Sequence, residues 1–137
     1  MPKERVVLDN NVLVSGLLLP VSVPGQAFQR ALTTADVLVS EATLIELADV
    51  LSRRKFDHYV SIHDRQEFLR LLSRVAEIVP TTHAIHACRD PRDNMLLEVA
   101  VNGSAKALVT GDHGLLSMNP FQGILIVTPL KYIRRKK

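Results

Sequence analysis

Short, β-branched apolar runs recur along this chain and alternate with segments of helical rather than two-residue periodicity. That alternation restricts the fold more than any other feature. Residues 5–9 carry Val6-Val7-Leu8 without a polar break, as a strand buried on both faces requires. Similar runs occupy residues 36–39, 78–79, 107–109 and 123–128. Between them, residues 12–19 predict a helix closed by Pro20, and residues 25–34 a second, with Ala27, Phe28, Ala31 and Leu32 at helical spacing. Ser40 is placed to cap a third, whose stripe runs through Leu44, Ile45, Leu47, Ala48 and Leu51. Residues 64–77 predict a fourth, with Phe68, Leu71, Leu72 and Val75 on its apolar side. Asp90-Pro91 opens a fifth through Met95, Leu96, Val99 and Ala100, and Asn102-Gly103 ends it. No two-residue hairpin signal joins the strands. The expected class is therefore α/β, three layers deep, with a central, mostly parallel five-stranded sheet.

With 137 residues and an apolar fraction of 47%, the chain is read as one domain, 1–137, with ample core material. The basic stretch 131–137 reads as a solvated, frayed tail. No apolar run approaches the roughly 18 residues of a membrane span. Residues 1–5 hold no apolar stretch of signal-peptide type, so a cytoplasmic location is expected. Cys88 is the single cysteine, which rules out an internal disulfide. Aromatic residues make up 4%, too few for base stacking to dominate nucleic-acid binding, and the net charge of +3 is compatible with a polyanionic partner.

Four acids fall where an open parallel sheet binds ligands, outside the carboxyl ends of its strands. Asp9 ends the first strand, Glu46 lies in the second turn of the third helix, Asp93 in the first turn of the fifth, and Asp112 follows the fourth strand. Each alone has a structural reading: a cap, a solvated helix residue, a first-turn acid, a turn residue beside Gly111. Together they would repel and raise one another's pKa values unless a cation neutralised them. Mg²⁺ and Mn²⁺ prefer carboxylate and water oxygens, and such a site suits in-line displacement at phosphorus. The residue types alone thus point toward metal-assisted phosphodiester hydrolysis.

The motifs "VVLDNNVLVSGLL", "SEATLIELADVL", "CRDPRDNMLLEVAV", "ALVTGDHGLL" and "IVTPLKYI" occur in that order over nearly the whole length. In this the chain resembles the PIN-domain ribonucleases, and most closely the VapC-like toxins of toxin–antitoxin modules. The resemblance implies a PIN-like fold and Mg²⁺- or Mn²⁺-dependent endoribonuclease activity. Asp9, Glu46, Asp93 and Asp112 become the acidic set that holds one or two ions, which activate the attacking water. It implies RNA as substrate, a cognate antitoxin and a homodimer as partners, and Asn11 as the residue that helps position Asp9. Ser15 and Thr110 are further supporting candidates. The family usually has Thr where this chain has Asn10, and often an acid at Gly114.

Arg89 and Arg92, beside Asp93, are read either as phosphate contacts at a helix start or as ion-pair partners of nearby acids. "SRRK" at residues 52–55 is a helix C-terminus that would also suit an RNA-binding rim. His83, His86 and Cys88 lack the second ligand pair that a structural zinc site needs and read as solvated or edge-strand residues. The competing functional class is a PIN-fold module that binds RNA or protein without cleaving.

Overall fold

The Val6-Val7-Leu8 run has no solvated face, and it becomes the middle of the sheet. The computed structural model describes residues 3–135. The chain runs β1 (Glu4–Leu8), α1 (Asn10–Leu18), α2 (Val23–Thr34), β2 (Ala35–Val39), α3 (Glu41–Leu51), a 3-10 turn (Arg54–Phe56) and α4 (Ile62–Val75). It continues through β3 (Glu77–Ile78), α5 (Pro91–Asn102), β4 (Ala107–Val109), α6 (His113–Leu116), β5 (Leu125–Val127) and α7 (Pro129–Arg134). The strand order is β3-β2-β1-β4-β5, and every pairing is parallel.

Because strand side chains alternate, each run supplies two cores. Val6, Leu8, Val37, Val39, Ala107 and Val109 pack with residues of α1, α2, α3, α4 and α7. Val7, Leu38, Leu108 and Ile126 pack with α5 and α6 on the other side. The result is the expected three-layer α/β/α arrangement. Connections from β1 leave first toward β2, and the chain later returns to β4 on β1's other side. The crevice between the carboxyl ends of β1 and β4 is therefore the topological switch point, the place where such sheets bind ligands.

Polar residues at strand ends, and Asp90 at the end of the long connection after β3, start the helices. Asp9 caps α1, Ser40 and Thr43 form a reciprocal capping box on α3, Asp90 caps α5 and Asp112 caps α6. Gly16 lets α1 approach α2, since a Cβ there would lie 2.2 Å from the Phe28 ring.

Several expectations need correction. Helix α1 begins at Asn10 rather than at residue 12, because Asp9 caps it. On α4 the buried side holds Arg65, Phe68, Leu69 and Leu72, whereas Leu71 and Val75 are 53% and 66% exposed. The short helix α6 carries no periodicity long enough to be read in advance. Residues 131–135 are not a frayed tail. Tyr132 is buried, and the Arg135 guanidinium donates to both carboxylate oxygens of Glu4 at 2.9 and 3.0 Å. Lys136 and Lys137 lie outside the described residues. No single helix among the described residues is long and apolar enough to cross a membrane.

Candidate active site

Parallel pairing sets Leu8 against Val109, so the residues that leave β1 and β4 emerge side by side. Asp9 N–H donates to the Val109 carbonyl at 2.9 Å. Thr110, fully buried, donates its hydroxyl to Asp9 Oδ2 at 2.6 Å, and the same Oγ1 accepts from Asp112 N–H at 3.0 Å. One hydroxyl thus fixes both acids, with its single proton committed to the carboxylate. Asp9 Oδ1 accepts from Asn11 N–H at 3.2 Å, and Asp112 Oδ2 from Leu115 N–H at 2.9 Å.

Asp93 reaches the same cleft from the first turn of α5. Its carboxyl is pushed up to about 6, first by burial and then by the negative charges of Asp112, Asp90 and Asp9, against a smaller pull from Arg92. The Cys88 thiol behind it is raised as well, by burial and then by Asp93, Asp112 and Asp90. Glu46 enters from α3 and stands 3.9 Å from Arg92 Nη1. Arg92 is engaged more closely by Asp90, through Nε at 3.1 Å and Nη2 at 2.9 Å, and this pairing holds the Asp90 carboxyl below its usual range.

The structure therefore brings Asp9, Glu46, Asp93 and Asp112 to the walls of one cleft of about 250 Å³. Arg92 lines it too, and so does Asp90, which sequence pattern accounts for fully as a helix cap. Arg53, Lys55 and Phe56 also line the cleft. Arg89 is exposed and does not line it. Asn11 acts on Asp9 through its backbone; its residue is otherwise exposed. Ser15 lies in a separate hollow that shares only Asn11 and Asp112 with the main cleft.

A carboxyl raised by burial and then by neighbouring carboxylates belongs to a donor set suited to a hard divalent cation. Asn10 Oδ1, in the cleft wall, is buried with no hydrogen-bond partner. A buried acceptor left unpaired calls for a donor, and the hydration water of a cation is one. Among the described residues, no three His, Cys, Asp or Glu side chains converge closely enough to hold an ion as they stand. The residues fit such a cation in type and share one cleft, though as they stand they are not within common ligating reach.

An all-parallel α/β sheet with an acidic cleft at its switch point places the candidate site where open sheets of this class bind ligands. Residues 5–114 match the family model of the PIN domain, and the chain belongs to that family. PIN domains are generally nucleases and typically depend on a divalent metal. An uncharacterized protein of Methanocaldococcus jannaschii is 30% identical over 118 residues, spanning 85% of this chain and 76% of that protein. The crystal structure of VapBC2 from Rickettsia felis, bound to a DNA fragment from its promoter, contains a chain of similar fold. The TM-score is 0.60 at 13% identity, covering 90% of this chain and 98% of that one.

Proposed function

We propose that this protein is a divalent-metal-dependent ribonuclease that hydrolyses RNA phosphodiester bonds, and the toxin of a toxin–antitoxin pair. One observation carries the hydrolytic reading. Asp9, Glu46, Asp93 and Asp112, from four separate segments, line one cleft at the ligand edge of the sheet. Helix capping accounts for Asp9 and Asp112 but not for Glu46 or the raised Asp93. When bound, Mg²⁺ or Mn²⁺ would lower the pKa of water and stabilise charge on the phosphate oxygens.

The protein's own part is positional. Thr110 holds Asp9 at the end of β1 and, through the Asp112 N–H, sets the start of α6. Arg92 restrains Asp90 and partly offsets Glu46. Asp93, whose carboxyl is pushed up to about 6 by burial and neighbouring acids, must release its proton to act as a ligand.

The test is RNA cleavage in Mg²⁺ or Mn²⁺ and in EDTA, with Asp9→Asn and Asp93→Asn alongside. Metal-dependent cleavage lost in both variants supports the site. Cleavage that persists in EDTA or in both variants overturns it.

The antitoxin partner and a homodimer are proposed with this reading. The fold likeness to a chain of the Rickettsia felis VapBC2 complex supports the first. Ile45, exposed on α3 beside Glu46, is compatible with a protein contact there. Co-purification with the product of an adjacent small reading frame, and the solution mass of the pure chain, test the two.

A second reading has its own observation. Because no three acids among the described residues converge at ligating distance, the fold also suits a module that binds RNA without cutting it. Calorimetry that detects RNA binding but no divalent-ion binding would favour that reading.

A further inference from the structure

The acidic cleft has a wall that the hydrolytic chemistry does not use. Arg53, Lys55 and Phe56, in the connection between α3 and α4, line it with the acids. Arg53 and Lys55 are exposed, and neither forms an ion pair among the described residues. A connection of this kind, with only a 3-10 turn of its own, would ordinarily be the least constrained part of a site.

Here it is fastened from beneath. Arg65, in the first turns of α4, is 4% exposed. Its Nε donates to the Val60 carbonyl at 3.1 Å, and Nη2 donates to the same carbonyl and to Asp57 Oδ1, both at 2.8 Å. Nη1 donates to the Leu51 carbonyl at 3.1 Å and to the Arg53 carbonyl at 3.5 Å. A guanidinium has five N–H donors, so all are occupied. Four of the five bonds end on backbone carbonyls of residues 51–60, and one of those carbonyls belongs to Arg53 itself. A buried cation is costly to keep unless every donor is satisfied, and here every donor acts on the same connection.

We propose that Arg65 is a positioning residue that holds Arg53 and Lys55 as the phosphate-contacting wall of the cleft, for the RNA backbone flanking the bond to be cut. This rests on the ribonuclease reading for its substrate class. Arg65 is buried and makes no contact with RNA itself; its effect passes through residues 51–60.

The experiment measures binding of a short single-stranded RNA in EDTA, as a function of salt, for the wild type, Arg53→Ala/Lys55→Ala, Arg65→Lys and the triple variant. Cleavage does not enter the readout, so loss of the nuclease reading and loss of this one are distinguishable. Each phosphate contact on a single strand contributes about 0.7 to the slope of log affinity against log salt, so the double variant should lower the slope by about 1.4. Arg65→Lys keeps the charge but cannot make the five-bond clamp. It should lower affinity and slope toward those of the double variant, and the triple variant should add nothing further, as expected of residues that act as a unit. A merely structural role for Arg65 would lower the melting temperature while leaving the slope of the folded protein unchanged, and that result would overturn the assignment. If Arg65→Lys does not fold, the double variant decides alone, because both its positions are on the surface. Wild-type affinity and slope in that variant would overturn the proposal whether or not the protein cleaves RNA.

Discussion

Thr110 does more for the cleft than its size suggests. Its hydroxyl is the shared partner of Asp9 and of the Asp112 backbone, and it is fully buried. Thr110→Val keeps the shape and removes both bonds. It leaves the Asp112 N–H and one Asp9 carboxylate oxygen, both only part-buried, without that partner, which costs less than the roughly 1–3 kcal/mol of a fully buried unpaired group. Loss of a group that orients a metal-site carboxylate typically costs about 10- to 100-fold in activity or metal affinity. Wild-type cleavage by a folded Thr110→Val protein would show that Asp9 needs no such support. Asp93 gives a pH-dependent prediction. Burial, then the charges of Asp112, Asp90 and Asp9, push its carboxyl up to about 6 from the ordinary aspartate value of 3.8, so the folded state holds the proton more tightly than the unfolded chain does. Stability is therefore greatest at low pH for this group and declines as pH rises through about 6. In EDTA, Asp93→Asn should melt higher than wild type at pH 7, and the gap should close toward pH 4. A gap independent of pH would contradict the assignment. The four acids could be read in the sequence because their types and positions, at strand ends and in the first two turns of helices, are unusual together. The cleft face of Asp90 could not, since its local pattern is fully explained by capping α5.

At the scale of the elements, the strands were legible because a β-branched run without polar breaks has one outcome when both faces are covered. The helices were legible in existence more than in facing. On α4, Leu71 and Val75 share a helical stripe with Phe68 and Leu72, and the spacing alone admits them to the core. The structure turns the helix so that Arg65 lies under the α3–α4 connection, and Leu71 and Val75 then face solvent. Periodicity counts an arginine as polar and cannot anticipate one that buries by satisfying all its donors. Helix α1 supplies a stability prediction of the opposite kind. Gly16 faces the Phe28 ring, which in turn packs at 5.7 Å against Phe68. Gly16→Ala improves helix propensity by roughly 1 kcal/mol, whereas overpacking of a tight contact costs about 1–3 kcal/mol. With the new Cβ only 2.2 Å from the ring, overpacking wins. Thermal melts should show a net loss, and a gain would mean that α1 and α2 separate easily.

Across the whole molecule, sheet and cleft are one construction. The parallel order β3-β2-β1-β4-β5 brings Asp9 and Asp112 together from residues far apart in the chain, and the helices on either face bring Glu46 and Asp93. That convergence was legible as topology, while the anchoring of the C-terminal end was not. It depends on Arg135 meeting Glu4 across the fold, and a run of basic residues carries no sign of such a partner. On the proposed function, the same construction would couple metal binding to folding. The cleft exists only when both strands and both helix layers are assembled, so a divalent ion held there would bind the native state in preference to the unfolded chain. At an ion concentration ten times the dissociation constant, linkage stabilises the fold by about 1.4 kcal/mol. For a domain of this size that corresponds to a rise of about 5 °C in Tm. Mn²⁺ or Mg²⁺ at pH 7 should therefore raise the Tm of the wild type, with a larger rise as concentration increases. Asp93→Asn should start from a higher Tm in EDTA and respond less, because it has lost both the repulsion and the ligand. At pH 5, where Asp93 holds its proton, the wild-type response should shrink as well, since ion and proton compete for the same oxygens. An undiminished response in Asp93→Asn at both pH values would place the ion away from α5.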